Sequence, residues 1–212
     1  MSHLIRVVLI ALLGAALQTP LTLANAAPVI SEVLYNAVGA DNGYMFVELY
    51  GTPGSSLSGL SLQGIKGSTG LGYITLNLSG MFNANGVFVV ADDSGDGTTQ
   101  VPNADLILNF DLQNGPDSVL LKSGGGVIDA LGYGDFGAGT FFAGEGAPAP
   151  DTGAGPSLAR RYANIDTNNN AADFIVLGTP TPGLAVTAPL PSSLWLLMSG
   201  VVGMAAVGRR RT

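Results

Sequence analysis

Tyr44-Met45-Phe46-Val47-Glu48-Leu49-Tyr50 is the stretch on which the fold turns. Met45, Val47 and Leu49 alternate with Phe46, Glu48 and Tyr50, and a period of two puts the two sets on opposite faces of an extended strand. In a sandwich one face is core, and the wholly apolar face is the natural choice. Phe46 and Tyr50 on the other face imply that it too is covered, at least partly. A covered Glu48 then needs a partner, because an unpaired buried charge costs several kcal/mol. Backbone N–H groups and the few cations are the options, with Arg160 or Arg161 the first candidates.

Working outward, similar runs bounded by turn residues recur along the chain. Val29 to Tyr35, Leu60 to Ile65, Tyr73 to Leu78 and Val87 to Ala91 read as strands. So do Leu106 to Phe110, Ser118 to Leu121, Val127 to Leu131 and Phe174 to Leu177. Asn42-Gly43, Asn85-Gly86 and Asn114-Gly115 mark tight turns, and Gly124-Gly125-Gly126 links two strands as a hairpin loop. Gly134 to Pro156 is rich in Gly, Ala and Pro and reads as a long surface excursion. Nine short strands at this spacing predict an all-β fold, an immunoglobulin-like β-sandwich.

Composition agrees. The chain has 212 residues, with 31 Gly and 12 Pro among them. Charged residues are 11% and hydrophobic residues 47%, too apolar for a disordered chain. There is no Cys, which removes disulfides, thiolate metal sites and cysteine nucleophiles. The one His, His3, lies in the N-terminal segment described next, so no Ser-His-Asp triad is available to the rest of the chain.

Both ends read as sorting devices. Arg6, the apolar run Val7 to Leu17, Pro20 and the small residues Ala24 and Ala26 make residues 1–26 a signal peptide, with cleavage before Ala27. The other reading of this segment is a retained membrane anchor. At the far end Pro189-Leu190-Pro191 precedes an apolar segment, residues 192–208, that begins near Trp195 and is followed by Arg209, Arg210 and Arg211. Seventeen residues at ~1.5 Å each nearly span a bilayer, so the segment reads as a transmembrane helix with a basic cytoplasmic tail, residues 209–212. A plain tail anchor has this form. So does something more specific: the proline pair, the Trp, the Gly-rich helix and the terminal Arg cluster resemble the PEP-CTERM sorting signal. Leu190 stands where the motif that names that family has Glu. The resemblance implies processing by an exosortase-type membrane enzyme.

Between these segments lies residues 27–183, a single domain, with 184–191 as a linker carrying the Pro-Leu-Pro motif. Lys66, Lys122, Arg160 and Arg161 are its four cations against all fifteen acids of the chain, a formal charge of −11. Such a surface repels phosphate backbones, which argues against a nucleic-acid partner.

Three groups of residues taken in order are similar to the bacterial lamin-tail domain. Val29-Ile30-Ser31-Glu32-Val33-Leu34-Tyr35-Asn36 comes first, then Phe46 to Tyr50 and Leu57-Ser58-Gly59-Leu60-Ser61-Leu62. The late segment has Ser157-Leu158-Ala159-Arg160, Asp166 to Phe174, and Thr179-Pro180-Thr181-Pro182-Gly183. Leu60 stands where the family often has Trp. The resemblance implies an immunoglobulin-like sandwich on an exported protein, without a general catalytic site.

Candidate chemistry is sparse. Glu32, Glu48 and Glu145 are the carboxylates on which glycosidase-type chemistry would have to rest; as strand residues, Glu32 and Glu48 also read as structural carboxylates bonded to backbone or paired with Arg160. Asp166-x-Asn168-x-Asn170 has the first spacings of a calcium loop, but Ala171 and Leu177 stand where an EF-hand needs Gly and Glu. An Asx-rich turn accounts for it as well. Asp92, Asp93 and Asp96 form a second acidic loop that could hold Ca²⁺ weakly or be simply solvated. No cofactor beyond such weak Ca²⁺ is expected. Phe141-Phe142, in the turn-rich excursion, either faces a partner or folds back on the sandwich. The expected function is an exported, non-enzymatic surface or extracellular-matrix protein. An accessory module binding an extracellular polysaccharide or protein is the alternative, and a carboxylate-based hydrolase a minor one.

Overall fold

In the computed structural model residues 27–189 are described. The signal-peptide residues Ala24 and Ala26, the sorting residues Leu190, Pro191, Trp195, Arg209, Arg210 and Arg211, and the segment 192–208 lie outside them. Among the described residues no helix is long and apolar enough to cross a membrane.

The strands are β1 (Val29–Leu34), β2 (Phe46–Tyr50), β3 (Leu60–Lys66), β4 (Gly72–Asn77) and β5 (Val87–Asp92). β6 (Leu106–Leu108), β7 (Asp117–Ser123), β8 (Gly126–Tyr133), β9 (Ser157–Arg160) and β10 (Phe174–Leu177) follow, and a single helical turn, α1 (Asn170–Asp173), precedes β10. They build a six-stranded sheet in the order β10-β9-β1-β2-β5-β6 and a four-stranded sheet in the order β4-β3-β7-β8. The protein is all-β.

The strands read from alternation are present, with ends shifted by a few residues. Two features differ from the reading. Ser157–Arg160 is a strand, β9, filling the place between β1 and β10; its four residues are too few to show a period. The β6 strand stops at Leu108 and runs parallel to β5. A parallel neighbour requires a crossover, here the loop from Asp93 to Asp105. β6 ends where the Phe110 N–H is taken by the Asp92 carboxylate, 2.9 Å away, instead of by a neighbouring strand.

The main core lies between the sheets. Ile30, Val33, Val47, Leu49 and Val90 from the large sheet meet Leu62, Val119, Leu121 and Leu131 from the small one. Tyr35 and Tyr133 stack across it, ring centroids 4.1 Å apart. Part of each outer face is also covered. On the large sheet, Leu34, Phe46, Val89 and Val101 form a second apolar cluster with Tyr50, Ala104 and Ala185. On the small sheet, Ile65, Leu120 and Ala130 pack against Ala143. The excursion from Gly134 to Pro156 has no strand, as expected, yet it lies down on this face instead of standing in solvent. Phe142 sits directly over Gly132, where a Cβ would come within 2.2 Å of its ring, and meets Phe136 edge to face at 5.0 Å. Phe141 remains 55% exposed, so the two Phe part company.

Candidate functional site

Two networks of buried polar groups stand out. The first is centred on Arg160, at the end of β9, whose side chain is 1% exposed. Its Nε donates to the Ile30 carbonyl at 3.0 Å, and Nη2 donates to both oxygens of Asp129 at 3.1 Å. Nη1 donates to Asp173 at 2.9 Å and to Asp166 at 3.1 Å. The guanidinium also lies over the Phe174 ring, 4.7 Å from its centroid. Asp129 in turn accepts the Ile30 N–H. Asp129 belongs to β8 and Arg160 to β9, so this ion pair fastens one sheet to the other. Burial raises the Asp129 carboxyl, opposed by the Arg160 charge.

Glu145 completes the network from the excursion. One oxygen each of Asp129, Glu145 and Asp166 lie within 4.8 Å of one another. Burial first, then the charges of Asp129 and Asp166, push Glu145 up to about 7. Its Oε2 is shielded and has no hydrogen-bond partner. Three carboxylates this close could hold a hard cation, but the Arg160 guanidinium already supplies the positive charge.

The second network lies on the outer face of the large sheet. β1 carries a bulge between Ile30 and Glu32, after which Glu32 and Glu48 are direct cross-strand partners. An extra residue in one strand re-aims its neighbours, and Ser31 thereby reaches across to donate to Glu48 at 2.7 Å. Glu48 also accepts the Gly183 N–H at 2.7 Å. Glu32 accepts the Ser157 hydroxyl at 2.6 Å, the Thr181 N–H at 2.9 Å and the Thr181 hydroxyl at 2.8 Å. The exposures of Glu32 and Glu48 are 2% and 1%. Burial raises Glu48 to about 7, and the Glu32 charge adds to it.

Of the two kinds of partner expected for Glu48, the structure supplies a backbone N–H and not a cation. Arg160 is taken by three aspartates, and Glu48 is held by a hydroxyl and a backbone N–H. The chain that covers it, residues 181–188, is a strap. Asn103 donates to the Pro182 carbonyl at 2.8 Å, the Ala163 N–H donates to the Val186 carbonyl at 2.7 Å, and the Ala188 N–H donates to Asn164 at 2.7 Å. Residues 184–188, read from the sequence as the first part of a linker, thus lie along the domain.

The proposed calcium residues have other neighbours. Asp92 is 1% exposed and accepts the Gly43 and Phe110 N–H groups at 2.7 and 2.9 Å. Asp93 accepts the N–H groups of Gly95, Asp96 and Gly97, and Asp96 accepts the Thr98 N–H and hydroxyl. Asp166 accepts the Asn168 N–H at 3.0 Å and faces Arg160, while Asn168 takes a left-handed φ of 52°. That is an Asx turn. Asn170 is fully buried: its oxygen accepts the Gly132 and Glu145 N–H groups, and its nitrogen donates to the Ala130 carbonyl. It fastens α1 to β8 and to the excursion. Among the described residues, one oxygen each of Asp129, Glu145 and Asp166 come close enough together for a metal, so of the predicted calcium residues Asp166 belongs to such a group, with partners from β8 and the excursion and not from its own loop.

Asp129 carries much of this network although no sequence motif points to it, while Asp173, which lies near the Asp166 loop in the sequence, turns to Arg160. A signal for Asp129 exists: an acid enclosed by Val127, Ile128, Ala130 and Leu131 is placed in its strand as Glu48 is in β2. Which cation answers it is not encoded locally.

The cleft bordered by Glu32, Glu48 and the strap has a volume of about 80 Å³, whereas ligand pockets run from roughly 300 Å³ upward. No protein-family model matches the chain, and no curated protein matches it.

Proposed function

We propose that this is an exported, non-enzymatic surface or extracellular-matrix protein. Its body is an immunoglobulin-like domain of the lamin-tail kind, and its tail is a PEP-CTERM-like signal read by an exosortase-type enzyme. The observation that carries the non-enzymatic reading is the engagement of the buried carboxylates. Glu32, Glu48, Asp129 and Asp173 spend their oxygens on backbone N–H groups, hydroxyls and Arg160. A carboxylate that works as nucleophile or proton carrier must face its substrate, and these face the protein; Glu145, whose Oε2 accepts no hydrogen bond, is turned to Asp129 and Asp166. The two-sheet, largely antiparallel architecture supports the immunoglobulin-like reading, and the Pro189-to-Arg211 pattern supports sorting. The reading includes no resident cofactor.

The test is fractionation of the producing cell with intact-mass measurement. The mature protein begins at Ala27 and lacks Arg209, Arg210 and Arg211. Envelope protein retaining both Met1 and Thr212 refutes both cleavages.

One observation favours a role in binding an extracellular polysaccharide or protein. Phe141 is half exposed against the turn at Gly70, next to Leu71, which is 68% exposed. Loss of matrix retention in Phe141→Ser, with unchanged melting, would establish that role.

A further inference from the structure

We infer that the end of the domain bearing Tyr162, Ile165, Leu184 and Val186 is a membrane-docking face, seated on lipid headgroups while the tail is uncleaved. The inference rests on reading residues 192–208 as a membrane helix.

The strap supplies the geometry. Thr181 is held by Glu32, Gly183 by Glu48, Val186 by Ala163 and Ala188 by Asn164. Ala185 packs in the apolar cluster on the outer face of the large sheet. The chain is therefore fixed to the domain as far as Ala188. Only Pro189, Leu190 and Pro191 separate it from Ser192, and an extended chain covers at most ~3.5 Å per residue, so about 14 Å. Each headgroup layer is itself roughly 5–8 Å deep. A helix anchored that close leaves no room for the exit point of the strap to stand away from the lipid.

The side chains at that exit point suit such a surface. Leu184 is 67% exposed, Val186 62%, Ile165 42% and Tyr162 38%. The strap runs beside the loop that carries Tyr162 and Ile165, as the Ala163–Val186 hydrogen bond shows, so the four share one end of the molecule. Grouped exposed apolar side chains mark interaction sites, and Tyr is suited to the level of the headgroups.

Charge selects the kind of lipid. Arg161 is exposed here. Of the nearby acids, Glu32 and Glu48 are buried under the strap, Asp166 is exposed but turned to Arg160, and Asp105, exposed beside Ala104, accepts the Val89 N–H. Arg161 on one side and Asp105 and Asp166 on the other leave this end without a surplus of positive charge to select anionic lipid, and the expected surface is zwitterionic.

The absence of Cys makes the test direct, because a single introduced thiol is unique. The chain left by signal cleavage, Ala27 to Thr212 with its tail intact, is prepared as Leu184→Cys, Tyr162→Cys and Val38→Cys, each carrying an environment-sensitive fluorophore, in phosphatidylcholine nanodiscs with spin-labelled headgroups. Val38 is 78% exposed and lies past the far end of β1, about 20 Å from the docking end. Emission from the first two labels should shift to the blue and be quenched by the spin label, while the Val38 label does neither. Equal behaviour of all three labels in chain retained by the discs overturns the docking face and leaves the membrane helix standing. Chain that does not stay with the discs overturns the helix and the docking together. Labels at Leu184 and Tyr162 that shift without lipid quenching, in chain that self-associates, make this face a contact between copies and also overturn the proposal.

Discussion

Replacing Glu48 by Gln should make the protein more stable above neutral pH, although it deletes a charge from the middle of a hydrogen-bonded network. Glu48 is 1% exposed, and burial holds its carboxyl at about 7 against an ordinary 4.5. The folded state therefore binds a proton there that the unfolded chain has already released. Between these two values stability falls as pH rises. The contribution is fully present below about pH 4.5 and is lost as pH passes through 7. At about 1.4 kcal/mol per pH unit, the ionised Glu48 costs on the order of 3 kcal/mol at pH 8 relative to its protonated form. Gln copies the protonated form. Its amide oxygen can accept the Gly183 N–H, and its NH₂ can donate to the Ser31 hydroxyl. Urea melts at a series of pH values measure the effect as the difference between variant and parent. That difference should be near zero at about pH 4 and grow to favour the variant by a few kcal/mol at about pH 8. Taking the difference cancels the parallel dependence from Glu145, which is also raised to about 7. A flat difference, or one favouring the parent at high pH, would refute the reasoning. It would mean that Arg161 or entering water stabilises the ionised carboxylate.

The remaining predictions concern the network around Arg160. Arg160→Met leaves Asp129 and Asp173 buried without their cation, and should lower stability by about 3–5 kcal/mol in urea melts. Arg160→Lys should recover only part of that, since an ammonium cannot reproduce the forked contacts to Ile30, Asp129 and Asp173; full recovery would show that charge alone matters. Asn170→Ala strips partners from the Gly132 and Glu145 N–H groups and the Ala130 carbonyl, costing on the order of 3 kcal/mol. Hydrogen exchange should then be fastest at Gly132 and Glu145, and unchanged protection there would contradict the assigned role. Micromolar Ca²⁺ should leave the melting temperature unchanged, because Asp166 faces Arg160 and Asp93 is occupied by backbone N–H groups. A calcium-dependent rise that is lost in Asp93→Ala or Asp166→Ala would overturn that assignment.

How much of this could be read in the sequence depends on the range of the interaction. The alternation of Met45, Val47 and Leu49 against Phe46, Glu48 and Tyr50 is a local pattern, since the period of a strand is built into its backbone. It gave β2, its two covered faces, and the demand for a partner at Glu48. The turn residues gave most of the remaining strands for the same reason. The Asp166–Asn170 spacing was equally visible, but spacing does not say which way a side chain turns. Asn168 adopts the left-handed backbone of a turn, and Asn170 points into the domain to hold β8.

Only the tertiary structure decided which charges meet. Ser157–Arg160 becomes a strand because β1 and β10 offer it edges on both sides, and its placement brings Arg160 to Asp129, 31 residues away in the chain. With Arg160 engaged, Glu48 is left to Ser31 and to Gly183, which lies 135 residues further on. Hydrophobic and turn patterns repeat within a few residues and are written along the chain. The pairing of the buried Arg160 with three particular aspartates depends on which sheet each strand joins, and that is fixed only when the two sheets close on each other.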